Sequence, residues 1–245
     1  MTNKQQTPAK GKPINVLISM IAIFAIVTSV FIYDWLHPDH QYPEARAGLL
    51  DAREWDFARQ GIIPLRGEWE FYENRLLTPQ DFQSDPSLHA ESRIVRVPGN
   101  LEGALSSGNG YGAGTYRLQM LVSDPDSYSL RGKKIRLSSH IYMDGTDVGG
   151  TGHPDVTEEG FVPSNLPFIG TVQAQSDTIE IMIQVASYRY LKGGLVQTPE
   201  FGRTSDVLAS RDHARLADMI VITTMLVFAV YILPACSASG AETPT

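Results

Sequence analysis

The sequence predicts a mainly β protein, an antiparallel β-sandwich of the jelly-roll type flanked by two transmembrane helices. Two uncharged apolar runs, at residues 14–33 and 219–236, bracket most of the chain. Between them, several short segments alternate apolar and polar residues with a period of two, which is typical of half-buried strands. Glycine and proline turns separate these segments, and residues 67–202 show no full-length amphipathic helix. Many short strands joined in this way favour a sandwich or jelly roll.

Composition and charge exclude several classes of protein. The 245 residues are 42% hydrophobic and 19% charged, as in an ordinary folded chain. The net charge is −7 and no basic face is evident, which argues against a nucleic-acid partner. Cys236 is the only cysteine, so one chain can form neither a disulfide framework nor a cysteine zinc cluster. The six histidines show no close metal-ligand pair.

The first apolar run predicts an uncleaved transmembrane signal anchor at 14–33. Its 20 residues would form a helix of about 30 Å, which matches the hydrocarbon core of a bilayer. Lysines precede the run and acidic residues dominate the stretch after it, so residues 1–13 should be cytoplasmic and the next region extracytoplasmic. A cleaved signal peptide is the alternative, and it exports the same region. The expected location is therefore a cell membrane, with the main domain on its extracytoplasmic side.

The first strands of the sandwich are expected after a linker and lead-in at 34–64, which the sequence predicts to be irregular or partly helical. The sandwich itself is predicted over 65–203. In "GEWEFYENRLL", Trp69 and Phe71 share the apolar face of a strand, so Trp69 belongs to the core. "SRIVRV" predicts the next strand, because it ends at a proline–glycine turn.

The later strands follow the same alternation. "TYRLQMLVS" and "TIEIMIQVAS" each place four apolar side chains on one face. "KKIRLSSHIYM" predicts one or two strands and ends at Asp144–Gly145, a pair of residues that signals a tight hairpin turn. "GGLVQTPEFG" closes the series. A juxtamembrane connector at 204–218, a transmembrane helix at 219–236 and a polar tail at 237–245 complete the chain.

A glycine-rich stretch before the third predicted strand resembles a nucleotide-binding fingerprint. Gly108, Gly110 and Ala113 fit the pattern G-x-G-x-x-G/A. That fingerprint needs a helix after its glycines, whereas here "TYRLQM" follows with strand periodicity. We therefore expect a loop that bends sharply before entering a sheet, with glycine also allowing close approach of a ligand.

No motif for catalysis is present, and the protein is not expected to be an enzyme. The serines and carboxylates lack the surroundings of a nucleophile elbow or of a defined acid–base pair. "DPDSYS" at 124–129 and "DGTDVGG" at 144–150 carry oxygen ligands that could hold a structural calcium ion. Turns use the same residue types, so these segments are either calcium-binding loops or ordinary turns. No other cofactor is expected.

The best ligand-binding candidate is "SYRYLKGG" at 187–194, which follows the most strand-like segment. Aromatic faces stack on sugars, and arginine holds a carboxylate or phosphate in a fork. The glycine loop would share this rim if both loops meet at one end of the sandwich. The alternative is that a tyrosine packs beneath the loop and that the lysine is simply solvated. The five candidate residues are Tyr111, Tyr188, Arg189, Tyr190 and Lys192.

Five motifs in one order resemble the extracytoplasmic domain of bacterial seven-transmembrane receptors with diverse intracellular signalling modules. In that family the outer domain resembles a galactose-binding-like jelly roll, related in shape to the sugar-binding domain of glycoside hydrolase family 2. The resemblance covers about residues 50–231. The motifs are "LRGEWEFYENRLLTPQDF" at 65–82, "VPGN" at 97–100, "GYGAGTYRL" at 110–118, "IYMDG" at 141–145 and "IQVASYRYLKGGL" at 183–195.

The resemblance implies a sensor, anchored in the inner membrane of a bacterial cell, that binds a small molecule or a carbohydrate. Family members continue with seven helices and a histidine kinase or diguanylate cyclase, whereas this sequence shows one such helix and no output module. We therefore expect a receptor truncated after the first helix of its membrane domain, with a partner protein supplying the output. Two alternatives stay open: a sugar-binding domain related to glycoside hydrolase family 2, or a structural envelope protein that binds protein partners.

Overall fold

A computed structural model describes residues 29, 41–133, 138–190 and 192–239, without the side chains of 227–229 and 231–239. The chain divides into two units, Met1–Gln41 and Tyr42–Thr245. The second unit contains every strand described below. The predicted anchor at 14–33, except for Ser29, and the last six residues of the predicted tail lie outside the described residues.

Two mainly antiparallel sheets form the described part of the second unit, which confirms the predicted β-sandwich. The larger sheet has the order β4-β3-β5-β10-β7-β8, with β1 parallel to β5 at its side, and the smaller has the order β2-β11-β6-β9. The strands are β1 Leu49–Asp51, β2 Ile63–Pro64, β3 Gly67–Glu73, β4 Arg93–Val97, β5 Gly112–Leu121, β6 Ser127–Gly132, β7 Ser138–Met143, β8 Thr146–Thr151, β9 Phe168–Gln173, β10 Thr178–Ser187 and β11 Glu200–Arg203.

The helices within the sandwich are short, and the long one follows it. Between residues 67 and 202 no helix exceeds six described residues, as the absence of an amphipathic pattern predicted. The helices are α1 Phe57–Gln60, α2 Pro79–Ser84, a 3₁₀ helix Pro86–Glu91, α3 Leu101–Ala104 and α4 Thr204–Ser239.

The main core lies between the two sheets, where the apolar faces of their strands meet. From the larger sheet, Trp69, Tyr116 and Ile183 are fully or almost fully buried. Leu130 and Phe201 oppose them from the smaller sheet. Because side chains alternate across a strand, this arrangement follows from the period of two in the sequence. The prediction that Trp69 belongs to the core is confirmed.

The hairpin between β7 and β8 is also confirmed. Asp144 and Gly145 form its two-residue turn, with φ angles of 47° and 75°. A positive φ at both central positions matches the right-handed twist of the flanking strands, and aspartate followed by glycine accepts it readily. The register of β7 against β8 shifts between Ile141 and Tyr142, so a bulge lies in the middle of the hairpin.

The described part of the lead-in, residues 41–64, is partly helical at α1, as the sequence predicted, and it also contains the strands β1 and β2. Strand β1 adds to β5 in parallel, and the apolar residues Leu50, Trp55 and Ile63 of the lead-in are buried in the core. The sandwich therefore begins near Tyr42 rather than at residue 65. Strands β6 and β9 also have no counterpart in the sequence prediction, and β6 overlaps the second half of the calcium candidate at 124–129.

A third layer covers the outer face of the larger sheet. The cap segment, residues 77–91, contains α2 and the 3₁₀ helix. Two buried polar side chains of the sheet hold its start: Thr115 Oγ1 accepts a bond of 2.9 Å from the backbone N–H of Leu77, and Gln184 Nε2 donates to the Leu77 carbonyl at 3.0 Å. Phe82 then packs over Met182 in a separate apolar cluster. Both faces of β10 are consequently buried.

Helix α4 follows β11 without an intervening loop. Its first turn packs on the smaller sheet, where Thr204 Oγ1 lies 2.9 Å from Ser127 Oγ and 3.0 Å from Ser129 Oγ. Val207 is fully buried there. Further along, the apolar side chains of residues 219–222 are 56–66% exposed. Within the described residues, no helix meets the combined length and hydropathy expected of a membrane span.

Candidate functional site

Strand register defines the two ends of the sandwich. In the β5–β10 pair, Gly112 lies opposite Ser187 at one end, here called the loop end. At the other end Leu121 lies opposite Thr178. Strand β6 begins beside this second end and pairs with β11, whose last residue Arg203 precedes α4. This second end is called the helix end.

The loop end brings together the two loops in which ligand-binding residues are expected. Tyr111 precedes Gly112 and Tyr188 follows Ser187, so the register places both loops side by side. Tyr111 is 40% exposed and Tyr190 is 60% exposed. Arg189 is exposed as well, and in the described part of the chain it has no carboxylate within ion-pair distance.

Lys192 is likewise exposed and without an ion-pair partner among the described residues. Tyr188 differs from the other four candidates because it is partly buried. Its ring lies 5.5 Å from that of Phe161, and both belong to a small apolar cluster with Ala113 and Ala186. Burial raises the pKa of the Tyr188 phenol, and nearby carboxylates add to the effect. Tyr188 therefore packs beneath the loop, which is the alternative that the sequence analysis left open for one of the tyrosines.

Backbone hydrogen bonds fix the loop that carries these residues. The N–H of Leu101 donates to the Gly193 carbonyl at 2.9 Å, and that of Gly99 donates to the Leu195 carbonyl at 3.0 Å. Gly194 has a φ of 103°, and a Cβ there would lie 3.1 Å from the Leu101 nitrogen. A side chain at position 194 would therefore strain the loop as well as crowd it.

A partly buried carboxylate, that of Glu73, ties the glycine-rich loop to the sheet. Glu73 accepts bonds from the Ser106 N–H at 2.9 Å and from its hydroxyl at 2.6 Å, and Arg93 lies 3.2 Å away. Burial raises the pKa of Glu73, but the bonds from Ser106 and Arg93 outweigh this and the net pKa is lowered. The loop before Tyr111 is thus held by charge-assisted bonds.

Beneath the loop end, two buried polar atoms have no hydrogen-bond partner among the residues that the structure describes. They are Trp69 Nε1 and the Tyr116 hydroxyl, and their rings lie 6.5 Å apart. The position of a Cβ on Gly194 would be 3.4 Å from that hydroxyl. The alternation of its strand predicted that Trp69 lies in the core. It could not predict that the indole N–H lacks a partner, because the surrounding residues are remote in sequence.

An ion cluster on the outer face of the larger sheet was not anticipated from the sequence. Arg117 Nη1 lies 2.7 Å from Glu70 Oε2, and Arg117 Nε lies 2.7 Å from Glu180 Oε1. The guanidinium carbon is 5.0 Å from the centre of the Phe82 ring, and the Arg117 side chain is 6% exposed. A charged residue in the middle of an alternating strand was the available signal. That residue, Arg117, lies on the polar face of its strand, and the cap segment was not recognised from the sequence. The pattern would therefore have predicted an arginine exposed to solvent.

The calcium candidates have other bonding in the structure. The Asp126 carboxylate accepts from the Ser127 N–H and lies 3.0 Å from Arg203 Nε. Asp147 accepts from the Gly149 N–H at 2.8 Å and lies 3.0 Å from His140 Nε2. Within the described ranges, no group of three or more histidine, cysteine or acidic residues could hold a metal ion.

Comparisons with known proteins give partial structural similarities. No protein-family model and no curated protein matches the chain. The chain is similar to a GH2 β-galacturonidase from Eisenbergiella tayi bound to galacturonate, at 13% identity and a TM-score of 0.39, over 56% of this chain and 23% of that one. A β-glucuronidase from an uncultured Clostridium has 14% identity and a TM-score of 0.41, with 58% and 29% of the two chains covered. The Ruminococcus gnavus β-glucuronidase has 11% identity and a TM-score of 0.41, over 57% of this chain and 28% of that one. This chain therefore spans less than a third of each enzyme.

Proposed function

We propose that the protein is a membrane-anchored sensory domain on the extracytoplasmic side of a bacterial inner membrane. The loop end binds a small molecule of the carbohydrate class without turning it over, and α4 carries the bound state towards the membrane. The receptor family that the sequence resembles stays a prediction, as does a partner protein that supplies the output.

The observation that supports this proposal is the position of the two chain ends that lead to the apolar runs. The ring of Tyr42, near the start of the second unit, lies 5.3 Å from Trp55. Trp55 and Arg203 line the same cavity of about 290 Å³, and Arg203 is the last residue before α4. Both ends thus leave the sandwich at the helix end, as a domain held by two membrane segments requires.

The exposed part of α4 also supports membrane anchoring. Residues 219–222 are four consecutive apolar residues, so together they cover every side of a helix. A helix that is apolar all round suits burial or a bilayer better than water. The apolar sequence continues to residue 236, while the first turns of α4 pack on the smaller sheet.

Direct continuity between β11 and α4 gives the sensor a route for transmission. Glu200 pairs with Arg131 on β6, and Arg131 also donates to Ser210 Oγ on α4 at 3.2 Å. A shift in the packing of the two sheets would therefore move the helix without a flexible linker between them. A ligand shifts such an equilibrium only as far as it binds one state better than the other.

The loop end suits a carbohydrate because of the groups it exposes. Tyr111 and Tyr190 offer aromatic faces, on which sugar rings stack through their apolar C–H surfaces. Arg189 and Lys192 add donors that no carboxylate among the described residues engages. Hydroxyl oxygens and a uronate carboxylate are both acceptors for such donors.

Cysteine labelling in intact cells tests the topology. In a Cys236→Ser background, Ser107→Cys places one thiol on the exposed glycine-rich loop. A membrane-impermeant maleimide should label it without lysis. Thr7→Cys, in the predicted cytoplasmic segment, is the matched control and should react only after lysis. Labelling of Ser107→Cys only after lysis would contradict the extracytoplasmic assignment.

A thermal-shift titration of the detergent-solubilised chain with neutral and acidic monosaccharides tests binding at the loop end. Tyr190→Ala and Arg189→Ala should weaken the saturable stabilisation by at least about tenfold, since each removes one ligand-facing group. Arg66→Ala is the matched control, because Arg66 is exposed near the opposite end. Hydrolysis of p-nitrophenyl glycosides by the purified chain would contradict the non-catalytic part of the proposal.

A further inference from the structure

A groove of about 350 Å³ opens on the outer face of the larger sheet, between α2 and the turn of the β7–β8 hairpin. This volume lies at the lower end of the roughly 300–1,000 Å³ of small-molecule sites. Glu180, on the floor of the groove, pairs with Gln119, two residues from the helix-end terminus of β5. The groove is therefore separate from the loop end, where the loops of Tyr111 and Tyr190 meet.

The floor of the groove keeps unused donors and acceptors. Arg117 has five N–H groups, of which Nε donates to Glu180 Oε1 and Nη1 to Glu70 Oε2. Neither Arg117 Nη2 nor Glu180 Oε2 has a hydrogen-bond partner in the described part of the chain. The ion pair between nearly buried Arg117 and partly exposed Glu180 thus leaves one donor and one acceptor unpaired beside the same groove.

The charge of this cluster decides which ligands it accepts. Two carboxylates, Glu70 and Glu180, face one guanidinium, so the cluster carries a net charge of −1. Asp144 lines the same groove and adds a further negative charge. An anionic ligand would meet repulsion here, because Arg117 is already neutralised. A hydroxyl both donates and accepts, so two neighbouring hydroxyls can satisfy Glu180 and Arg117 together.

One wall of the groove is aromatic. The Phe82 and His89 rings lie 5.1 Å apart at an angle of 37°, and both line the groove. Gln83 is exposed on α2 beside them. An aromatic wall beside a polar floor suits a ring that has one apolar face and hydroxyl groups at its edge.

We propose that this groove is a second ligand site, selective for a small neutral polyol of the hexose class and against a uronate. The choice of a carbohydrate rests on the proposed function, whereas the position of the site and its charge preference rest on the groove. Arg117 and Glu180 bind the hydroxyls, and the wall formed by Phe82 and His89 contacts the ring.

Calorimetric titration of the full chain in detergent with D-glucose, D-galactose and D-glucuronate tests the proposal. Gln83→Trp fills the groove from an exposed helix position and leaves the ion cluster intact. It should weaken neutral hexose binding at least about tenfold, since the ligand would have to displace the indole. Gln80→Trp is the matched control, on the same helix and exposed but outside the groove, and it should bind as the wild type does.

Glu180→Gln provides a second variant that keeps the shape of the floor. It should weaken hexose binding at least about tenfold by removing a charged acceptor, and it should reduce the discrimination against D-glucuronate. The proposal is overturned if neither hexose binds at tens of millimolar, or if Gln83→Trp weakens the binding of D-glucuronate as much as that of the hexoses. It is also overturned if Tyr190→Ala abolishes hexose binding while Gln83→Trp does not. That last result would still agree with the proposed function, because it would show that the hexose binds at the loop end.

Discussion

At the scale of single residues, polar atoms buried between the sheets are the least expected feature of the sandwich. Tyr116 and Trp69 contribute large apolar rings to the core, but the Tyr116 hydroxyl and Trp69 Nε1 have no partner in the described part of the chain. Burial also raises the pKa of the Tyr116 phenol above its ordinary value. A buried hydroxyl without a partner costs about 1–3 kcal/mol.

We expect Tyr116→Phe to raise the free energy of unfolding by about 1 kcal/mol, because it removes an unpaired group and keeps the ring. Equilibrium unfolding of the two proteins in denaturant measures the difference. Tyr128→Phe is the matched control: the Tyr128 hydroxyl donates to the Asp124 carbonyl at 2.8 Å, so its loss should destabilise. A loss of stability in Tyr116→Phe would indicate an ordered water on that hydroxyl and contradict this account.

Glu73 gives a prediction for the dependence of stability on pH. Its folded pKa lies below the ordinary value of 4.5, so its contribution is present above that value and is lost as the pH falls through the folded pKa. At pH 7, Glu73→Gln should lower the free energy of unfolding by about 1 kcal/mol. As the pH falls below 4.5 and through the folded pKa, the difference from the wild type should narrow, because the wild-type carboxylate becomes protonated.

Thermal melts of both proteins between neutral and acidic pH check this expectation. Glu54→Gln is the control, since Glu54 is an exposed carboxylate of the lead-in. A difference between wild type and Glu73→Gln that stays constant over the whole pH range would show that the bonds from Ser106 do not depend on the charge.

At the scale of elements, the cap segment is the addition that changes the sandwich most. It converts the outer face of β5 and β10 from a solvent surface into a second interior. Thr115 and Gln184 hold the start of the cap through bonds to Leu77, and Thr115 Oγ1 also donates to the Arg75 carbonyl at 2.7 Å. These two polar side chains match the backbone groups that the cap buries.

We expect Thr115→Val to destabilise the protein by about 2–3 kcal/mol, because it leaves the Leu77 N–H and the Arg75 carbonyl without their partner. Hydrogen exchange at the Leu77 amide should accelerate by a corresponding factor. Thr146→Val, at an exposed position of β8, is the control with the same chemical change and should be nearly neutral. Unchanged exchange at Leu77 would mean that the cap does not depend on this bond.

At the scale of the whole molecule, the sandwich is complete without the apolar runs. Its main core draws on buried residues from Ala45 to Phe201, and Val207 near the start of α4 is fully buried as well. The exposed apolar surface is concentrated instead on α4 after residue 215. Folding and membrane attachment should therefore be separable properties of the chain.

A chain limited to residues 41–218 should remain in solution without detergent and unfold in one cooperative transition, since the core is retained. The full chain should sediment with membranes after a carbonate wash. Sedimentation and circular dichroism measure the two properties. Aggregation of residues 41–218, or release of the full chain by carbonate, would contradict the proposed division of roles.

Some of the fold was predictable from local sequence. Strands β5 and β10 are ten residues each, long enough for their alternation to stand out, and the turn at Asp144–Gly145 has a characteristic pair of residues. Strands β1, β2 and β11 have four residues or fewer. A period of two is hardly visible over such a length, so β1 and β2 could not be predicted, and β11 was predicted only as the end of "GGLVQTPEFG".

Of the two candidate sites, the loop end was partly predictable from the sequence and the groove was not. The sequence identified Tyr111 and Tyr190 by residue type and by their loops, and the register of β5 against β10 placed those loops together. It could not identify the groove, because Arg117 meets Glu70 and Glu180 across 47 and 63 residues of chain. Nothing near Arg117 in sequence indicates that a cap will cover it.

The sequence alone determined the alternating strands, the tight hairpin turn and the two apolar runs, because periodicity, turn conformation and hydropathy are properties of neighbouring residues. Tertiary structure alone decided which loops share an end, which polar atoms are buried and where a groove with unused hydrogen-bonding groups opens. These depend on strand pairing between segments far apart in the chain, and the free energy of burial is set only when such segments meet.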